Sequence, residues 1–139
     1  NYSYYNVKII GDYLRLTFIE NPGIAFGIDT SNYHLLITIC TIMAITILFY
    51  YVFILNRNNE SEILPFSFII GGAIGNAIDR FLVLFPQTNY NGVIDFIDIG
   101  IMNYRWYIFN FADISISIGL VLLIYQTLIR HNNDKKTNI

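Results

Sequence analysis

HLLITICTIMAITILFYYVFIL, residues 34–55, contains no charged side chain. As an α-helix at 1.5 Å per residue, this run of about 22 residues is about 33 Å long, enough to cross the hydrocarbon core of a bilayer. It predicts a transmembrane helix over residues 33–56. The rest of the chain has the same character. Of its 139 residues 55% are hydrophobic, 17% aromatic and only 13% charged, and the mean hydropathy is +0.50. A soluble globule of this size needs more charged surface than that.

Two more spans follow from the same reading. Residues 63–85 are apolar until Asn76, Asp79 and Arg80 near their far end, and residues 110–130 are entered through Asn110 and Asp113 and left through Arg130. Between them, residues 86–109 read as a loop with short strand-like pieces, and residues 57–62 as a short polar loop. Residues 7–20 alternate in strand fashion, with Leu14, Leu16 and Phe18 on one side and Tyr13, Arg15 and Thr17 on the other, until Asn21-Pro22-Gly23 breaks the run. Residues 1–32 are thus a strand segment, with 24–32 as a lid beyond it. The polar tail, 131–139, is expected to be disordered. The predicted class is an all-α polytopic membrane protein carrying a small surface β-sheet.

Connectivity fixes which ends share a side. With three spans, the N-terminal strand, the Asp79/Arg80 end, the 86–109 loop and the Asn110/Asp113 end all fall on one face of the membrane. Lysines and arginines divide equally between the two faces. With Arg80 counted as held in a site, the balance tips toward the opposite face being cytoplasmic.

Several kinds of chemistry have no support. A net charge of −2 offers no basic stripe to a phosphate backbone, so no nucleic-acid partner is expected. The single cysteine, Cys40, lies within an apolar run and forms no intrachain disulfide. His34 and His131 stand far apart, and no His/Cys cluster has metal spacing, so no metal or cofactor is expected.

What remains is a set of acids and amides. Gly72, Asn76 and Arg80 are spaced by four with Asp79 adjacent, and share a helix face. Gly71 and Gly75 form a small-xxx-small pair suited to close helix packing. Asn110, Asp113 and Ser117 make a polar stripe, in which Asn110 also reads as an N-cap with Asp113 favoured by the helix N-terminus. Asp95 sits in an apolar strand-like run, and Asp98 beyond it is read as a solvated loop acid pointing the same way if the strand continues. An ionisable group near the hydrocarbon is costly and is usually retained for function. Two carboxylates brought together in a poorly hydrated site share a proton, so one activates water while the other protonates the scissile group.

Four segments, Asn21-x-Gly23-x-Ala25-Phe26, Gly71-Gly72-x-x-Gly75-Asn76-x-x-Asp79-Arg80, Val93-x-Asp95-Phe96 and Phe109-Asn110-x-Ala112-Asp113, resemble the lipoprotein signal peptidases (signal peptidase II) of bacteria. The resemblance runs in order from about residue 7 to residue 129. It implies an aspartic endopeptidase of the bacterial cytoplasmic membrane, working as a monomer with its active site at the outer face. Its substrate would be a diacylglyceryl-modified prolipoprotein held in contact with membrane lipid and cut before the modified cysteine. By motif position, Asp95 and Asp113 are the catalytic pair. Asn21, Asn76, Arg80 and Asn110 orient the pair and hold the substrate, Gly72, Gly75 and Ala112 keep space beside them, and Asp79 is structural and pairs locally. Asp98 has no counterpart. The family pattern also has a preceding span ending in Asp and Lys, and this chain begins at the strand region. Ile24 and Ile108 depart from it where a small residue and proline are usual. Two other classes fit the composition. A proton-coupled transport subunit would need acids toward both faces, and an assembly protein would tolerate loss of either aspartate.

Overall fold

The computed structural model describes residues 5–22, 33–57 and 63–137, with side chains through Arg130. The whole 24–32 lid, and the 57–62 loop beyond Arg57, lie outside the described residues. The elements in chain order are β1 (Asn6–Ile10), β2 (Leu14–Asn21), α1 (His34–Arg57), α2 (Ile63–Val83), a 3-10 turn at Pro86–Thr88, β3 (Val93–Ile101), β4 (Tyr104–Arg105) and α3 (Phe111–Thr137).

Each helix contains a stretch long and apolar enough to cross a membrane: His34–Leu55, Ile63–Val83 and Phe111–Arg130. Large apolar side chains such as Leu35, Ile47, Phe53, Val121 and Leu128 are exposed along them. At about 25 cal/mol per Å² that surface would be strongly unfavourable in water, and acyl chains remove the penalty. The second helix ends at Val83 rather than at residue 85. The amides of Leu84 and Phe85 turn back onto the carbonyls of Phe81 and Leu82, and Pro86, lacking an N–H, cannot extend the helix. The third continues past Arg130 through residue 137, where a disordered tail was expected. An established helix lengthens at far lower cost than it nucleates.

The middle helix packs against both of its neighbours. Small residues allow its approach to α3. A Cβ on Gly72 would collide with the carbonyl oxygen of Ala112, one on Gly75 would stand 3.2 Å from the Ala112 Cβ, and one on Gly119 would meet the Pro65 carbonyl at 2.6 Å. Ser115 Oγ donates across the seam to the Phe68 carbonyl at 2.7 Å. The expected Gly71/Gly75 packing pair is therefore corrected, because a Cβ on Gly71 would meet nothing within 4 Å. The helix presents the Gly72 side to α3, one residue out of phase. On the other side, Thr38 Oγ1 reaches the Arg80 carbonyl at 3.4 Å while bonding its own turn at His34. Tyr51 and Phe66 meet edge to face.

The all-α label is too narrow. A four-stranded antiparallel sheet in the order β1-β2-β3-β4 accompanies the helices. The single strand read over residues 7–20 is a hairpin. Gly11 adopts a φ of 50°, and the Tyr13 amide closes the turn on the Ile10 carbonyl at 2.9 Å. Gly11-Asp12 was the turn signal, masked by the alternation on either side of it. Likewise, β3 forms a full strand within the 86–109 loop. It carries a β-bulge, for the amides of Phe96 and Ile97 both donate to the Phe109 carbonyl, at 3.1 and 2.7 Å.

Asp98 is also corrected. It stands three residues beyond Asp95, so strict alternation would not give the two a common side, and it is buried rather than solvated. Arg105 Nε donates to its Oδ1 at 2.6 Å, Thr17 Oγ1 to its Oδ2 at 3.0 Å, and Arg105 also binds the Asp12 carbonyl. The ion pair braces the β3–β4 hairpin, and the Arg105 bond to the Asp12 carbonyl ties that hairpin to the β1–β2 turn.

Candidate active site

The N-terminus of α3 organises the site. Asn110 Oδ1 accepts the Asp113 amide, and Asp113 Oδ2 accepts the Asn110 amide, both at 3.1 Å. This is a reciprocal capping box, which satisfies two backbone donors that a helix start would otherwise leave open. The capping reading of these residues is thus realised, and it does not remove them from chemistry. Because the Asp113 amide occupies Asn110 Oδ1, the Asn110 NH₂ must point the other way.

That NH₂ group faces Asp95. Asn110 Nδ2 donates to Asp95 Oδ1 at 2.7 Å and lies 3.0 Å from Asn76 Oδ1. With its oxygen so engaged, Asn76 turns its own NH₂ to Asp113 Oδ1 at 3.0 Å. The two carboxylates are therefore joined by a chain of two amides whose orientations follow from the helix cap. On the far side of Asp95, Asn21 Nδ2 donates to Oδ2 at 3.0 Å. Asn21 comes from the end of β2 opposite Val93, and the following Pro22 keeps it extended.

Asp95 is 4% exposed. Burial pushes its carboxyl up to about 6, with the nearby Asp113 carboxylate adding to the rise and the Asn21 and Asn110 amides opposing it. It is therefore a group that can hold a proton near neutral pH, beside a second carboxylate whose two oxygens each accept an N–H. Asn76 and Asn110 are buried with it.

The structure brings Asn21, Asn76 and Asn110 directly onto the two aspartates. Gly72, Gly75 and Ala112 lie where α2 and α3 touch. Arg80 lies close enough to feel the charges of Asp113, Asp95 and Asp79. Among the described residues its guanidinium makes no direct ion pair with them. It lines a small recess with Asn21, Pro22, His34, Gly92 and Val93. Asp79 does not pair locally as expected. Its Oδ2 accepts the amide of Ile94, fifteen residues away, at 3.1 Å. Ser117 leaves the expected stripe, since it is exposed and its hydroxyl bonds back to the Asp113 carbonyl.

Gly92 was missed. A Cβ there would collide with the Asn21 carbonyl carbon and oxygen and stand 2.6 Å from the Pro22 nitrogen. A lone glycine one residue before an apolar strand was the available signal for a close backbone approach. Among the described residues, no group of three or more His, Cys, Asp or Glu side chains is placed to hold a metal ion.

Three apolar helices, with a sheet-borne carboxylate linked through two amides to a helix-borne one, define a multi-pass membrane protein. Comparison with known proteins gives the particular group. A sequence profile described as "Signal peptidase (SPase) II" matches residues 1–129. The chain is 38% identical over 127 residues to a lipoprotein signal peptidase of Wigglesworthia glossinidia brevipalpis, covering 91% of this chain and 78% of the relative. It is 36% identical over 129 residues to that of Pelagibacter ubique, covering 93% and 72%. A solved bacterial membrane enzyme superposes with a TM-score of 0.69 at 34% identity, covering 92% of this chain and 73% of the other. A second does so with a TM-score of 0.60 at 32% identity, covering 88% and 74%. The chain belongs to the signal peptidase II family and is a protease.

Proposed function

We propose that this chain removes signal peptides from diacylglyceryl-modified bacterial prolipoproteins, with Asp95 and Asp113 as its catalytic pair. The observation that carries the assignment is the Asn110 hub. One residue bonds Asp95 through its side chain and boxes Asp113 through its backbone, so both carboxylates belong to one buried network. Asp95, whose carboxyl burial pushes up to about 6 so that it can carry a proton close to neutral pH, hands that proton to the scissile carbonyl oxygen. Asp113 takes a proton from the water whose oxygen attacks the carbonyl carbon, giving a tetrahedral diol. On collapse the C–N bond breaks, Asp113 returns its proton to the leaving amine of the lipid-modified cysteine, and Asp95 recovers one from the diol.

The remaining residues fit the same reading. Arg80, bordering the recess beside Val93, presents a cation to substrate backbone carbonyls. The sheet, with exposed Tyr104, Trp106 and Tyr107, rests at the headgroup level on the outer face of the cytoplasmic membrane and cradles an extended peptide. The substrate's acyl chains stay in the bilayer, and the enzyme acts as a monomer. A proton relay is not favoured, because the acids of the described spans, Asp79 and Asp113, both lie at the site end.

The test is cleavage of a lipidated prolipoprotein by Asp95→Asn and Asp113→Asn variants that still insert into membranes. Each is expected to abolish cleavage. Full activity in either overturns the pair.

A further inference from the structure

β3 is braced by backbone partners along most of its length. β2 covers one edge, and on the other edge β4, Trp106 and Phe109 cover residues 96–101. At Ile94, just before Asp95, that second edge has run out of strand. Two side chains from the membrane helices take over. Asp79 Oδ2 accepts the Ile94 amide at 3.1 Å, and Asn110 Nδ2 reaches the Ile94 carbonyl at 3.3 Å. Both polar groups of one peptide-bearing residue are thus gripped by α2 and by the cap of α3. On the far side of Asp95, the Phe96 amide is gripped by Phe109.

Asp79 lies three residues after Asn76, on the same side of α2. Asn76 holds the Asp113 carboxylate, and Asp79 holds the backbone that carries Asp95. One turn of one helix therefore contacts both halves of the pair. We propose that Asp79 is a positioning residue that sets the separation of the two catalytic carboxylates by accepting the Ile94 amide. This rests on the assignment of Asp95 and Asp113 above. Its requirement is for an acceptor at that point, not for a charge. A carboxamide meets it, because Oδ1 of an asparagine accepts the same N–H.

The experiment compares Asp79→Ala and Asp79→Asn in the membrane-inserted enzyme, with two readouts. The first is prolipoprotein cleavage, resolved into kcat and KM. Asp79→Ala is expected to lower kcat by about tenfold to a hundredfold with KM within about twofold, since small displacements of a reacting group cost that much. Asp79→Asn is expected to stay within about threefold of the parent in both constants. The second readout is amide hydrogen exchange of the peptide containing Ile94, which quickens in the alanine variant and not in the asparagine variant.

Equal loss of kcat in both variants overturns the proposal, for it would make the charge the essential feature. Unchanged kcat or unchanged exchange in Asp79→Ala overturns it too. An Asp95→Asn control separates the two readings. If that variant still cleaves, the catalytic assignment fails, while the exchange data still report on the Asp79 bond. If it is inactive and Asp79→Asn is as impaired as Asp79→Ala, only the positioning role fails.

Discussion

Replacing Asp95 by asparagine should alter how the fold's stability responds to pH. The Asp95 carboxyl titrates at about 6 in the folded protein, against 3.8 when solvated. For a group whose pKa is raised by folding, the associated stability is complete below the unfolded pKa and is lost as pH rises through the folded one. At about 1.36 kcal/mol per pKa unit the full loss is about 3 kcal/mol, of which about 2.5 kcal/mol falls between pH 4 and pH 8. Asparagine has no proton to lose, so Asp95→Asn removes that slope. It also sets an NH₂ group against one of the two amide donors, Asn21 or Asn110, a loss of about 1 kcal/mol that does not depend on pH. The expectation is a variant that gains about 2.5 kcal/mol on the parent from pH 4 to pH 8. The measurement is equilibrium unfolding of both proteins in mixed micelles of mild detergent and dodecyl sulfate, followed by circular dichroism across that range. Carboxylates that do not interact with Asp95 cancel in the difference, which leaves Asp113, whose charge adds to the Asp95 rise, as the one interacting contributor. Parallel curves for parent and variant, or a variant that loses ground as pH rises, would refute the burial argument for Asp95.

Four further substitutions probe the supporting structure. Gly72→Ala drives a methyl into the Ala112 carbonyl and should cost about 1–3 kcal/mol and most of the activity. Gly71→Ala, which meets nothing, should be neutral or stabilising by up to about 1 kcal/mol from helix propensity, and thermal melts with cleavage assays on the two variants decide the phase of α2. Gly92→Ala should push Asn21 away from Asp95 and depress cleavage while the helices melt as before, which circular dichroism and a cleavage assay separate. Arg105→Met strands the buried Asp98 carboxylate without its cation, and in the same unfolding assay should cost about 3 kcal/mol or more.

The spans were legible because the bilayer sets a length and forbids charge, both of which a sequence displays directly. The α3 start was legible for a similar reason, since Asn110 and Asp113 stand at the N-cap and N3 spacing of a local motif. Features that depend on distant partners were not. Whether Gly71 or Gly72 faces α3 is a question of helix rotation, and both have a polar or small residue four positions on. The burial of Asp98 depends on Thr17, eighty-one residues away in the chain, and on the hairpin that returns Arg105 to it. Asp79 looked local because Arg80 is beside it, yet its partner is a backbone amide that only the folded sheet brings near. The hairpin at Gly11-Asp12 was hidden because the short apolar runs on either side of it read together as one strand.

The capping box has a consequence for the order in which the enzyme comes to life. Synthesis runs from N- to C-terminus, so Asp95 is made before the α3 span. Until that span winds its first turn, Asp95 has neither the Asn110 amide nor a second carboxylate beside it. On the proposed assignment, a chain without α3 holds only one member of the pair. With Asp95 and Asp113 as the proposed pair, the site is assembled only with α3, and the hydrogen bonds that start that helix are the same ones that bring the second carboxylate to the first.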